Sequence, residues 1–355
     1  MDDASALAPK LSAPQHRPRP LPLFLDLLRS ETAGDSDQLK RALAGLRRYQ
    51  EFPRDDPPEP MPAVADSDGA AVRDYGGTGP PVLFVPSLIN PPGVLDLSRE
   101  KSLLRWLAGR GHHVLLLDWG WPDARRSGLS VTAHVEDVLL PLIEALGEPA
   151  VLVGYCLGGT MALGAARAAA APAVATLAAP WHFSGFPDEA RAKIAALWES
   201  SRSTADALGL LPMEVLQSAF WSLDPARTVA KFEAFADAEG ARAEAFVTLE
   251  DWANDGPPLA AAAARELFED FFAEDRTGRG EWQVAGGIAD PGALSCPVLE
   301  IVSTVDRIVP AGTAAAAGER LELDLGHVGM VVGSRAGEAL WEPLDRWLLQ
   351  ARPSC

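Results

Sequence analysis

Short, uninterrupted apolar runs alternate along the chain with stretches whose apolar residues recur every three or four positions. "PPVLFVPSL" (80–88), "HHVLLLDW" (112–119), "PAVLVGY" (149–155), "AVATLAAP" (173–180) and "CPVLEIVST" (296–304) are too short and too evenly apolar for amphipathic helices. They predict strands buried on both faces, and "RLELDL" (320–325) predicts a further one. Between them, "SLLRWLAGRG", "VTAHVEDVLLPLIEALG", "GGTMALGAARAAAA" and "AGEALWEPLDRWLLQ" carry helical spacing. Strand–helix alternation of this kind predicts an α/β fold with a mostly parallel sheet covered by helices.

The alternation breaks in two places. Leu21 to Tyr49 has helical spacing, preceded by an arm (1–20) expected to be disordered and followed by a Pro-rich break at 53–62. Trp181 to Asp290 is rich in Trp, Phe, Ala and acidic residues, and is too long for a loop. The expected organisation is an N-terminal arm with two helices (1–62), a catalytic α/β domain (63–355), and a helical lid inserted in it (181–290). The N-terminal helices are expected to pack on the protein's own main domain rather than to serve only as a docking element for a partner.

Composition narrows the function. A formal net charge of −18 over 355 residues speaks against a nucleic-acid-binding surface. Three cysteines, Cys156, Cys296 and Cys355, give no disulfide framework and no zinc-type spacing. No signal-peptide pattern and no run near the roughly 20 apolar residues of a membrane span is present. The expectation is a cytoplasmic protein with no metal and no bound cofactor.

"PAVLVGYCLGGTMALG" then supplies a candidate for chemistry. Gly154-x-Cys156-x-Gly158-Gly159 sits where a strand should turn sharply into a helix, and small neighbours let strand and helix approach closely. Many hydrolases place a serine at the centre of such a turn; here it is a cysteine. The partial positive charge of the helix N-terminus favours a thiolate there, and the Leu157 amide points to where an oxyanion would form. The alternative is a small buried core residue, as free cysteines often are.

Such a nucleophile needs an acid and a histidine downstream, in that order. Asp306 follows the strand in "CPVLEIVSTVDRIVP", and His327 follows "RLELDL", flanked by Gly326 and Gly329. His327 would take the thiol proton while Asp306 holds its tautomer. His182, also after a strand, is the one competing histidine; Asp118 and Asp324 are weaker rivals for the acid. A second oxyanion donor is expected from the loop "FVPSLINPPGVLDL", from the amide of Leu88 or Ile89, since Pro91 and Pro92 have no N–H.

At these residues the chain resembles the polyhydroxyalkanoate synthases. "PSLINPPGVLDL" with "LLLDWGWPD", "GYCLGGT", "VDRIVP" and "GHVGMVVG" are similar to that family's motifs, and the resemblance runs from about Pro80 to Leu349. Arg307 and Pro91-Pro92-Gly93 depart from its usual residues. The resemblance implies an α/β-hydrolase fold, with Cys156 as acyl carrier, Asp306 as acid and His327 as base. It also implies (R)-3-hydroxyacyl-CoA substrates and a polyester product, with a location in the cytoplasm or at polyester granules. The length is closer to the short synthases that work with a second subunit; a homodimer is the other partnership considered. A CoA ester is anionic, so its entry must be locally basic against the acidic background. A thiol suits this chemistry: acyl-Cys keeps the activation of the thioester, which a serine ester would discard. Water must then be excluded, and Phe220, Trp221, Trp252, Phe271 and Phe272 of the insertion are candidates for doing so. Two other readings use the same residues differently: a cysteine thioesterase or esterase, and a non-catalytic granule-associated paralogue.

Overall fold

The computed structural model describes residues 17–54, 59–123 and 125–351. Most of the expected arm, residues 1–16, lies outside the described residues, as do 55–58 of the Pro-rich break and Cys355. The described residues form two compact units, one within 59–223 and 251–351, the other within 17–54 with Asp224–Glu250.

The larger unit is built on an eight-stranded sheet. Its strands are β1 (Ala63–Ser67), β2 (Ala70–Asp74), β3 (Thr78–Val85), β4 (His112–Asp118), β5 (Val151–Tyr155), β6 (Val174–Leu177), β7 (Val298–Ser303) and β8 (Glu319–Leu323). The spatial order is β1-β2-β4-β3-β5-β6-β7-β8. From β4 to β8 every pairing is parallel, while β1 and β2 are antiparallel additions at one edge. All six expected strands are present, each shorter than its apolar run, because the ends of the runs leave the ladder to build loops. Ala178, for example, has φ +47° and ends β6 three residues before the expected limit.

The β1–β2 hairpin was not expected. β1 is largely exposed and β2 buries only the short run Ala70-Ala71-Val72, so the apolar signal is weak. The readable signal was Asp68-Gly69, whose φ values of +47° and +84° make the tight two-residue turn that Asp-Gly favours.

Alternate residues of each central strand serve opposite faces of the sheet. Leu83, Val85, Leu115, Leu117 and Leu152 belong to one buried cluster, and Val82, Phe84, Val114, Leu116, Val151 and Val153 to another. That double burial is why these strands read as continuous apolar runs. After β3 the chain crosses to β4 on one side, then returns to lay β5 on the other side of β3. The reversal opens a crevice beyond the carboxyl ends of β3 and β5, where open α/β sheets hold their ligands.

The insertion after β6 is mainly helical, with helices at Asp188–Leu208, Met213–Leu223, Pro225–Phe235, Gly240–Ala253 and Ala261–Arg265. Two very short strand pairs within it, Leu210–Leu211 with Leu259–Ala260 and Gln283–Val284 with Gly287–Ile288, were not expected. No helix among the described residues is long and apolar enough to cross a membrane.

The smaller unit joins the two expected N-terminal helices, Leu21–Glu31 and Ser36–Glu51, to helices that the insertion contributes. Its core is aromatic: Phe24 and Tyr49 meet Phe232 edge-on, and Phe235 stacks on Phe246 at 4.2 Å. Glu233 accepts hydrogen bonds from Gln38 and Arg41. Gly45 lets two helices touch: a Cβ there would lie 1.8 Å from the Phe232 carbonyl oxygen. Gly45→Ala must therefore push the helices apart. It is expected to destabilise this unit by about 1–3 kcal/mol, the usual cost of overpacking. Thermal melting followed by far-UV circular dichroism checks this, and an unmoved midpoint would refute the contact.

Candidate active site

Cys156 stands between β5 and the helix Leu157–Ala166 with φ +56° and ψ −131°, a strained backbone for a residue with a side chain. Its amide donates to the Leu177 carbonyl at the end of β6, and its carbonyl accepts from Gly159 at 2.8 Å. The three neighbouring glycines explain how the turn closes. A Cβ on Gly154 would lie 2.3 Å from the Gly159 Cα. One on Gly158 would lie 2.1 Å from the Val85 carbonyl, and one on Gly159 would meet the Ala179 Cβ at 2.3 Å. The helix is thus pressed against the end of β3 and the start of the loop that follows it.

His327 and Asp306 come together across the ends of β7 and β8. His327 Nδ1 hydrogen-bonds Asp306 Oδ2 at 2.7 Å, and both side chains are buried. Asp306 Oδ1 accepts from the amides of Ile308 and Val309, at 2.7 and 3.1 Å, which fixes the carboxylate. With Nδ1 engaged, Nε2 is the ring nitrogen left for another partner, and Cys156 is near enough to act on the charge of the imidazole. Burial alone would push the imidazole toward neutrality. The negative charge of Cys156, then Asp306, outweighs it and raises the pKa to about 10. The arrangement therefore favours the charged form of the His327 imidazole.

The rival acids and the other histidines are engaged elsewhere. Asp118 pairs with Arg73 at 3.2 Å, and Asp324 with Arg335 on the surface. His112 is buried against Asp345 at the opposite end of the sheet. His134 bonds the Ser130 carbonyl, and burial lowers its pKa to about 4. The His182 ring lies with the Asp275 carboxylate against Gly278, and its amide is held by Thr313.

The loop after β3 is fixed from two sides. Trp119 Nε1 donates to the Pro86 carbonyl at 2.9 Å. Trp252 Nε1 donates to the Pro91 carbonyl at 2.8 Å, and Asn90, at φ +65°, reaches the carbonyls of Ala253 and Asp255 at 3.3 and 3.4 Å. Residues 252–255 of the insertion are thus strapped to this loop. Leu157, the first residue of the helix, has its amide at the helix N-terminus. The Ile89 amide donates to Ser87 Oγ at 3.0 Å, so it must exchange that partner before it can serve an oxyanion.

Of the aromatics expected to exclude water, Phe271 and Trp221 are core side chains, and Phe272 packs on Phe183 and Phe186. Trp252 is the one strapped to the β3 loop. Sequence reasoning missed Tyr155, whose ring stacks on His327. The signal was a phenol at the end of an otherwise aliphatic strand, since a buried tyrosine hydroxyl needs a partner.

Replacing Cys156 by Ala removes the strongest influence that raises the His327 pKa and leaves burial in place. The imidazole is then expected to titrate well below the value of about 10 that it has beside the cysteine. Nitrogen-15 NMR of the imidazole checks this; an unshifted midpoint in Cys156→Ala would mean that the two side chains do not interact.

The alpha/beta hydrolase family profile matches residues 82–342. Among solved structures, a thermophilic esterase from Thermogutta terrifontis is 18% identical with a TM-score of 0.50, covering 83% of this chain and 100% of its own. A carboxylesterase structure from Nitrososphaera gargenis gives 0.52 at 12% identity, covering 82% of this chain and 98% of its own. Among sequences, the chain is similar to proteins named poly(3-hydroxyalkanoate) polymerase subunit PhaC. The one from Haloarcula marismortui is 27% identical over 80% of this chain, and the one from Haloferax mediterranei 28% over 76%. The matches span 63% and 58% of those two relatives' own lengths. The one from Thiocystis violacea is 24% identical over 93% of this chain and 99% of its own. An eight-stranded, mostly parallel sheet, a sharp positive-φ turn from β5 into a helix and the profile match over most of the chain agree: the chain belongs to the alpha/beta hydrolase family.

Proposed function

We propose that the protein is an acyltransferase that polymerises (R)-3-hydroxyacyl-CoA into polyhydroxyalkanoate through an acyl-Cys156 intermediate. The observation that carries this reading is the His327 imidazole, bonded to the buried Asp306 carboxylate and raised in pKa by Cys156 beside it. The similarity to the PhaC subunits supports the substrate class.

In this mechanism the Cys156 thiolate attacks the thioester carbonyl. The tetrahedral oxyanion is received by the Leu157 amide and by one from the loop after β3, Ile89 once released from Ser87. Collapse expels the CoA thiolate, which takes the proton from the His327 imidazolium and leaves as the thiol. One thioester has replaced another, with little change in free energy. The neutral imidazole then accepts the proton of an incoming 3-hydroxyl group as its oxygen attacks acyl-Cys156. The new ester forms and the cysteine sulfur is released. Asp306 holds the imidazole in one tautomer throughout and stabilises its charged form. The partnership that goes with this reading is a second synthase subunit or a second copy of the chain, acting in the cytoplasm at a growing polyester surface.

Purified protein given 3-hydroxybutyryl-CoA is expected to release free CoA and form polymer. Release of CoA with only monomeric hydroxy acid would replace the polymerase reading by the thioesterase one. Cys156→Ala is expected to abolish turnover, and Asp306→Asn to slow it by about 10³–10⁴-fold. Intact-protein mass spectrometry should find the acyl adduct on Cys156; unchanged polymer accumulation with Cys156→Ala in cells would favour a scaffold.

A further inference from the structure

Tyr155 is the last residue of β5, and its side chain has no part in the mechanism above. It is buried, with 4% of its surface exposed. Its hydroxyl donates to the main-chain carbonyl of His327 at 3.3 Å. Its ring stacks on the His327 imidazole, with centroids 5.0 Å apart and planes at 29°. One side chain thus engages both the backbone and the ring of a single histidine.

The topology makes such a hold necessary. Cys156 follows a central strand, hydrogen-bonded on both sides, between β3 and β6. His327 follows β8, the outermost strand of the opposite edge, on a turn between Gly326 and Gly329. Asp306 grips only Nδ1, which leaves the imidazole free to tilt about that bond. An aromatic face against the ring removes the tilt and suits an imidazolium, which aromatic faces attract at this separation. We propose that Tyr155 is a positioning residue that ties the edge loop to the central strand and so holds the His327 imidazole over the Cys156 sulfur. This rests on the reading of Cys156 as nucleophile and His327 as its base. Burial, and then the negative charges of Cys156 and Asp306, push the phenol's pKa far up, so its hydroxyl remains a donor at any working pH.

The test uses the thiol and not the acyl substrate. In a full-length background carrying Cys296→Ser and Cys355→Ser, only Cys156 is left to be alkylated. Iodoacetamide then forms a carbon–sulfur bond to the Cys156 thiolate and expels iodide. The rate is measured across pH for Tyr155 and for the Tyr155→Phe and Tyr155→Leu variants. Tyr155→Phe keeps the ring and loses the clamp on the carbonyl; it is expected to slow alkylation near neutral pH by about three- to tenfold. Tyr155→Leu loses both, with a larger loss. In each variant the rate–pH curve should move to higher pH, because a displaced imidazolium no longer favours the thiolate. A merely structural role would lower the melting midpoint and leave the curve in place. Tyr155→Phe, which preserves volume, decides the matter if Tyr155→Leu does not fold. An unmoved rate–pH curve in a folded Tyr155→Phe protein would overturn the proposal. A protein that shows the shift but makes no polymer would sink the polymerase reading and leave the positioning role standing.

Discussion

A sharp turn cannot place a side chain at φ +56° unless the backbone around it can close in, and three glycines allow this here. Gly154 admits the helix to the strand it leaves, Gly159 admits the neighbouring Ala179, and Gly158 admits the end of β3. The last contact matters most for chemistry. It brings the helix N-terminus, with the Leu157 amide, against the loop that begins at Pro86. Everything else at the site is arranged around a sulfur whose place is set by the absence of three methyl groups.

The second constraint is electrostatic. A buried histidine should be neutral, yet His327 is held toward its charged form by Cys156 and Asp306. Such an arrangement works only while the carboxylate is itself satisfied, and the amides of Ile308 and Val309 do this without adding charge. Under the proposed function, a proton held on His327 beside the sulfur would be ready for the leaving group of a thioester. In a serine site, by contrast, the base must take the proton as attack begins.

Much of this was legible in the sequence because the signals were local. Buried parallel strands carry continuous apolar runs, and Gly-x-Cys-x-Gly-Gly between a strand and a helix has few other uses. Asp306 and His327 could be chosen because loops after parallel strands share one edge of the sheet. What was not legible depended on contacts between distant residues. The β1–β2 hairpin is set by the pairing of β2 with β4, which also carries Ala70 and Val72 into the core. The N-terminal helices share a core with Phe232, Phe235 and Phe246, about two hundred residues away in the chain, and no local periodicity points there. Nor does any local pattern show that the Ile89 amide is already bound by Ser87.

The strap between the β3 loop and the insertion bears on how such enzymes can diversify. Because Asn90 and Pro91 meet the main chain and the indole of residues 252–255, the cap is not a detachable module. A chimera that exchanged residues 181–290 alone would keep the two main-chain carbonyls that Asn90 reaches only if its new segment followed the same path. It would deprive the Pro91 carbonyl of the indole N–H that it accepts. Recombination would have to inherit the β3 loop and the cap segment together, so the two should be exchanged as one heritable block even though some 160 residues separate them.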